Sequence, residues 1–267
     1  TVVDAANFFR DFGSPELLTD RDLTDIAGDD RTIVNLLTDQ VEFANVIVLN
    51  KVDLVDADHL GILRSTLKKL NPSARIVETN FSEVDPKSIL HTGLFDFEEA
   101  EESAGWIAEL NKEEHTPETE EYGIGSFVFR SSLPFHPERF WAYFHDRFPA
   151  NIIRSKGLFW IASRPDQALI WGQAGGSIRT DSAGVWWASM SYGERADSMV
   201  FLENQKEIEA GWDPVFGDRK VELVFIGQHL DEADIRRDLE ACLVQAEDLP
   251  FNWTSGCPDA WPVERTS

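Results

Sequence analysis

The first 95 residues alternate short apolar segments with amphipathic ones. Residues 46–49 form an unbroken apolar run, which is typical of a parallel strand covered on both faces. In residues 57–70 the leucines recur at helical spacing, and we expect this helix to end at Asn71-Pro72 because proline disfavours helical geometry in the residue before it. A short strand is predicted over 75–79. The alternation predicts an α/β fold, a parallel sheet flanked by helices.

From residue 122 onward, strand-like segments dominate and two amphipathic helices interrupt them. One helix is expected to open at Pro137, since proline is favoured at the first helical position, and the other is predicted over 231–245. Residues 194–216 show no clear pattern. This order predicts a smaller α+β domain over 122–248, with helices on one face of a mostly antiparallel sheet. The strands are predicted at 126–130, 157–162, 168–173, 185–189 and 220–226.

An acidic segment over 96–121 separates the two patterns and holds eleven acidic residues and one base, Lys112. Such a charge run is typical of a solvated linker or a surface helix. The alternative is a metal-attracting strap centred on His115, the one histidine with several acidic neighbours. Residues 249–267 are rich in Pro, Gly and Ser and are predicted to form a flexible tail. The chain is thus divided into residues 1–95, 96–121, 122–248 and 249–267.

The net charge of the chain limits which binding partners are expected. The 267 residues hold 24 Lys and Arg against 48 Asp and Glu, a net charge of −24. Such a surface repels phosphate backbones and anionic membranes, so neither a nucleic acid nor a membrane is expected as partner. The two cysteines, Cys242 and Cys257, cannot make a disulfide framework in a chain of this length, and a reducing, cytoplasmic setting is predicted.

The segment Asn50-Lys51-Val52-Asp53 follows the apolar strand directly and has the chemistry of a guanine clamp. The Asp53 carboxylate can accept two hydrogen bonds, from N1–H and from the exocyclic amine of guanine. Adenine offers an acceptor at the first position and no amine at the second, which would leave a desolvated carboxylate unpaired at a cost of roughly a few kcal/mol. Lys51 can lay its methylene stem along the base, and Asn50 can hold neighbouring loops or reach N7.

The context of this segment strengthens the interpretation. Ligands of parallel sheets lie at the carboxyl ends of the strands, where Asp4, Asn50 and Thr79 all fall. The strand over 75–79 ends at Thr79-Asn80, where a second loop contacting the base is expected. The predicted nucleotide-binding residues are therefore Asn50, Lys51 and Asp53, with Thr79 and Asn80 as weaker companions. The alternative is an ordinary strand-to-helix turn with a capping Asp.

Phosphoryl transfer needs a phosphate loop of the pattern GxxxxGK[ST], and these residues do not contain it. The chain opens at Thr1, inside a strand-like segment, so we expect the phosphate loop to lie upstream of it. No catalytic residue is therefore assigned, and the chain as given is expected to be inactive in hydrolysis. No pair of histidines has metal-ligand spacing, and no metal ligand is assigned.

Several segments resemble the CobW-type GTPases, a family of metallochaperones that includes nitrile-hydratase activators. The resembling residues are 1–8 (Thr-Val-Val-Asp-Ala-Ala-Asn-Phe), 39–54 around the clamp, 134–140, 155–157 with Trp160, and 222–227. The resemblance covers residues 1 to about 248. It implies the C-terminal half of a P-loop-type GTPase domain joined to a smaller α+β CobW C-terminal domain.

The resemblance also implies ligands and a role. It implies GTP or GDP and Mg²⁺, and delivery of a divalent metal such as zinc or cobalt to a client metalloprotein. The family's phosphate loop and its metal-binding CxCC motif belong to the N-terminal part, and neither is present in these residues. A different hypothesis is that the C-terminal domain docks a client without nucleotide, because aromatic residues are dense between Phe127 and Trp187. Those rings could equally fill the core.

Overall fold

The computed structural model describes residues 1–26, 29, 31–95, 105–110, 121–245, 248 and 259–263. Within these residues the strands form two sheets. The first is a three-stranded parallel sheet near the amino end, and the second is a five-stranded antiparallel sheet. This confirms the predicted fold class, an α/β half-domain followed by an α+β domain.

The parallel sheet has the order β1-β2-β3, with β2 in the centre. Its strands and helices are β1 (Val2–Asp4), α1 (Phe8–Phe12), α2 (Ile33–Glu42), β2 (Val46–Asn50), α3 (Ala57–Leu70) and β3 (Arg75–Thr79). Three consecutive residues of β2 are buried, as expected for a strand covered on both faces. The Asp56 side chain accepts a hydrogen bond from the His59 backbone N–H at the start of α3, and Leu63, Leu67 and Leu70 pack into the core.

The antiparallel sheet has the order β4-β8-β5-β6-β7. The elements of this half are α4 (Gly105–Leu110), β4 (Ile124–Ser131), α5 (Pro137–Asp146), β5 (Ile152–Phe159), β6 (Gln167–Ala174), β7 (Ser177–Val185), α6 (Tyr192–Ala196), α7 (Met199–Ala210), β8 (Val221–Gln228) and α8 (Glu232–Cys242). Side chains of α5 and α8 cover one face of the sheet and share one core with it. Many aromatic side chains between residues 127 and 187 are buried in that core, so core packing accounts for much of their density. They include Phe127, Phe129, Phe135, Phe140, Phe159, Trp160, Trp171 and Trp186.

Three local predictions are wrong or incomplete. The strand expected over 157–162 corresponds to β5, which begins at Ile152 and ends at Phe159. Residues 185–189 were expected to form a strand, but β7 ends at Val185 and the next residues turn, because the Asp218 carboxylate accepts the backbone N–H groups of Trp187 and Ala188. Residues 194–216, which show no clear pattern, hold most of α6 and all of α7. Phe201 of α7 is buried, whereas its neighbours on the helix are exposed.

The predicted linker and tail are described only in part. Residues 96–104 and 111–120, including His115, lie outside the described residues, as do 249–258 and 264–267. Between residues 104 and 111, α4 places Trp106 and Leu110 against the second face of the antiparallel sheet. Within the predicted tail, Asp259 forms a buried ion pair with Arg164, and Trp261 is buried in the core. The Pro, Gly and Ser content of the tail did not indicate this packing.

The second face of the antiparallel sheet also meets α2. Arg154 of β5 donates through Nε to Glu42 Oε1 at 2.8 Å and through Nη2 to Glu42 Oε2 at 3.3 Å, and both side chains are almost fully buried. Arg154 Nη1 also donates to the Gln173 carbonyl at 3.1 Å. A buried ion pair needs such additional hydrogen bonds to offset its desolvation.

Candidate guanine-nucleotide site

The carboxyl ends of the three parallel strands bring the predicted site residues together. Asp4 of β1 pairs in register with Asn50 of β2, and Asn50 pairs with Thr79 of β3. All five predicted residues therefore lie at one edge of the sheet, at the last residues of β2 and β3 and in the loops that follow. Parallel sheets bind ligands at this edge.

Hydrogen bonds tie the two loops to each other. Asn50 Nδ2 donates to Ser82 Oγ at 2.9 Å, and the Ser82 backbone N–H donates to Asn50 Oδ1 at 2.9 Å. The Asp53 backbone N–H donates to Asn80 Oδ1 at 3.1 Å. Asn50 thus uses both ends of its amide to hold the neighbouring loop, one of the two roles considered for it. Sequence reasoning missed Ser82, since nothing in the sequence marks a bond that spans 32 residues.

Thr79 lies behind the site and folds the loop. Its side chain is buried, and its Oγ1 donates to the Glu83 carbonyl at 2.7 Å. The Glu83 backbone N–H in turn donates to the Asn80 carbonyl at 3.0 Å. The geometry thus gives Thr79 a part in shaping the loop after β3, and its hydroxyl is engaged by a backbone carbonyl of that loop.

Lys51 is held by Asp4, a residue that the sequence places at a strand end but that we did not include in the predicted site. Lys51 Nζ lies 2.6 Å from Asp4 Oδ2, and the Lys51 backbone has a positive φ of 65°. Asp4 also accepts from Asn7 Nδ2 at 2.8 Å and from the Ala6 backbone N–H at 3.0 Å. Burial alone would raise the pKa of Asp4, but the hydrogen bonds from Lys51 and Asn7 outweigh it and hold the pKa below its ordinary value.

The Asp53 carboxylate faces outward at the edge. Asp53 is exposed, and within the described part of the chain no group donates a hydrogen bond to its carboxylate. Both oxygens can therefore accept from an incoming ligand at once. The arrangement is suited to a bidentate partner that presents two adjacent N–H groups, as the Watson–Crick edge of guanine does.

Metal-binding candidates are absent from the described residues. No group of three or more His, Cys, Asp or Glu side chains in them could hold a metal ion. Burial raises the pKa of the Cys242 thiol to about 11, so this sulfur is a packed side chain. His136 caps α5 by accepting from the Arg139 backbone N–H, as its position before Pro137 indicates, and burial lowers its pKa. No helix in this part of the chain is long and apolar enough to cross a membrane.

The fold joins a parallel α/β unit, which carries the candidate guanine site at its strand ends, to an antiparallel α+β domain. Family models match both parts: the CobW/HypB/UreG nucleotide-binding domain over residues 1–78, and the cobalamin synthesis protein CobW C-terminal domain over residues 124–243. The chain therefore belongs to the CobW family, which confirms the resemblance found in the sequence.

The chain is similar to two named curated proteins and to one solved structure. The chain is 40% identical over 252 residues to zinc-regulated GTPase metalloprotein activator 1 of Dictyostelium discoideum, covering 93% of this chain and 52% of that protein. It is 30% identical over 235 residues to a zinc chaperone of Mycobacterium tuberculosis, covering 85% and 54%. The chain thus spans about half the length of these curated relatives. A crystal structure of the Zn(II)-bound YjiA GTPase from E. coli matches with 18% identity and a TM-score of 0.38, covering 91% of this chain and 60% of that one.

Proposed function

We propose that this chain forms the guanine-recognising half of a GTPase that acts as a metallochaperone. The observation that carries the proposal is the Asp53 carboxylate, exposed at the carboxyl edge of the parallel sheet beside Lys51, in a loop tied to the loop after β3. Membership of the CobW family and the names of the relatives support it.

In this proposal each residue has a distinct part in binding the base. Asp53 accepts from N1–H and from the exocyclic amine of guanine, Lys51 covers one face of the base with its methylene stem, and Asn50 fixes the loop after β3. Adenine would leave the carboxylate unpaired. A lost charged hydrogen-bond pair of this kind corresponds to discrimination on the order of a hundredfold or more.

Hydrolysis and metal transfer are assigned to other parts of the protein. The phosphate-binding pattern does not occur in residues 1–267, so we assign no phosphate-binding residue to this chain. Mg²⁺ would bind with those phosphates, and the described residues offer no cluster that fits it. We therefore expect this chain alone to bind guanine weakly and to hydrolyse GTP negligibly.

The metal is the cargo in this proposal. Two relatives are named for zinc, which favours zinc over cobalt as the ion that is delivered. The recipient would be a client metalloprotein, and the setting the cytoplasm, where the two cysteines of the chain stay reduced.

The test is calorimetric titration of the full-length protein with GDP and with ADP. We expect GDP to bind and ADP to bind at least about a hundredfold more weakly, with Asp53→Ala abolishing most of the difference. Equal affinity for the two nucleotides in the wild-type protein would refute the proposal.

A second candidate is client docking by the C-terminal domain. The observation that favours it is the outer face of α7, where Met199, Val200 and Leu202 are 67%, 60% and 47% exposed. Exposed apolar side chains on one helix face are typical of protein contacts. A Leu202→Ser variant of the full-length protein should lose client capture without losing GDP binding; unchanged capture would count against this face.

A further inference from the structure

The loop after β3 exposes an aromatic ring beside the guanine clamp. Phe81 is 87% exposed, the largest exposed fraction among the large apolar side chains of the described residues. An exposed phenyl ring has no stabilising packing in the unbound chain. Phe81 lies between Asn80, which is hydrogen-bonded to Asp53, and Ser82, which is hydrogen-bonded to Asn50. Folding alone therefore does not explain an aromatic residue at this position.

The backbone of the loop holds this ring outward. Phe81 has φ 52° and Ser82 has φ 57°, two consecutive non-glycine residues in the left-handed region. That region is unfavourable for residues with a β-carbon, and such strain persists only where the surrounding structure imposes it. Here the surroundings are the clamp itself, because Asn80 Oδ1 accepts from the Asp53 backbone N–H and both ends of the Asn50 amide bond Ser82.

From these observations we infer that Phe81 stacks on the guanine base and forms the wall of the pocket that faces the Lys51 stem. This inference rests on the proposed guanine recognition and adds a residue to it. The clamp supplies hydrogen bonds to the edge of the base, and the methylene stem of Lys51 contacts one of its faces. A flat base has two faces, and an aromatic ring fixed next to the clamp is suited to cover the second one.

A role in stacking explains why the Phe81 ring is exposed when no nucleotide is bound. A ring that meets the base only on binding contributes to affinity and little to folding. Because hydrogen bonds on both sides fix the backbone at Phe81 beforehand, only the rotamer of its side chain remains to be ordered when the nucleotide binds. Removal of one aromatic stacking partner typically weakens binding by about tenfold.

The test uses the full-length protein and calorimetric titration with GDP. Phe81→Ala and Phe81→Leu should weaken GDP binding about tenfold, since both remove the ring and one keeps apolar bulk. Phe81→Tyr should keep nearly wild-type affinity. The matched control is Phe43→Ala: Phe43 is 57% exposed and follows α2 at the amino end of the same sheet, so its removal should leave GDP affinity unchanged.

Two further readouts separate stacking from a structural role. Urea unfolding of Phe81→Ala should match the wild type, because an 87% exposed ring contributes little to stability. A Phe81→Trp variant should show a GDP-dependent change in emission beyond that of the native tryptophans. If the wild-type protein binds GDP and Phe81→Ala binds it equally well, this inference alone is overturned. If the wild-type protein does not bind GDP, the proposed function and this inference fail together.

Discussion

Replacing Glu42 with Gln removes the charge that compensates Arg154 between α2 and the antiparallel sheet. The two side chains are 2% and 8% exposed and share two hydrogen bonds. In Glu42→Gln the guanidinium keeps its bond to the Gln173 carbonyl but has no counter-ion at that contact. Breaking a buried ion pair by neutralising one partner costs about 3 kcal/mol or more.

The chain offers a matched control in the ion pair between Arg64 and Glu78. These side chains are 48% and 35% exposed, so water screens the pair, and Glu78→Gln should cost less than about 1 kcal/mol. The assay is urea unfolding followed by tryptophan fluorescence, which reports on the nine Trp residues. A double variant, Glu42→Leu with Arg154→Met, should recover most of the loss because it removes both charges of the buried pair.

The reasoning would be refuted if Glu42→Gln and Glu78→Gln lowered the free energy of unfolding by equal amounts. Recovery in the double variant also matters. If that variant were as unstable as Glu42→Gln, the unpaired charge of Arg154 would not be the cause of the loss.

Three further outcomes are expected. Asp4→Asn should weaken GDP binding about fivefold in titrations of the full-length protein, because a neutral amide holds Lys51 less strongly than a carboxylate does; unchanged affinity would remove Asp4 from the site. Gly175→Ala should lower the free energy of unfolding, measured with urea, by about 2 kcal/mol or more. Gly175 has φ 49°, and a Cβ there would lie 1.9 Å from the Phe12 carbonyl oxygen. An unchanged unfolding midpoint would contradict this contact. Partial desolvation, followed by the charge of Glu42, raises the pKa of the exposed Asp39, so the folded state binds this proton more tightly than the unfolded state. The contribution of Asp39 to the free energy of unfolding is then favourable at acid pH and is lost as the pH rises through the folded-state pKa. Asp39→Asn should therefore raise the urea unfolding midpoint at neutral pH but not below the ordinary pKa of Asp. No difference between the variant and the wild type at either pH would contradict this.

Local signals in the sequence were sufficient for the elements that carry the clamp. Helix α3 covers the predicted residues 57–70 because its leucine stripe, its cap at Asp56 and Pro72 all lie within or beside the segment. The burial of β2 followed from its unbroken apolar run. These features depend on neighbours along the chain.

Features that depend on distant residues could not be predicted. The clamp loop is tied to Asn80 and Ser82 by bonds that span 27 and 32 residues, and no local pattern encodes them. Helix α7 was not recognised because it buries Phe201 while exposing Met199 and Leu202, so its apolar residues do not form a single stripe.

The central claim is that the Asp53 carboxylate reads the hydrogen-bond donors of guanine, and an Asp53→Asn exchange tests it most directly. An amide presents one acceptor and one donor, which match N1–H and the 2-carbonyl of xanthine in place of the amine of guanine. Titrations of the full-length protein with GDP and xanthosine diphosphate should show a wild-type preference for GDP that reverses in Asp53→Asn, each lost hydrogen-bond match weakening binding by about tenfold or more. If the two proteins showed the same ratio of affinities, Asp53 would not contact the base.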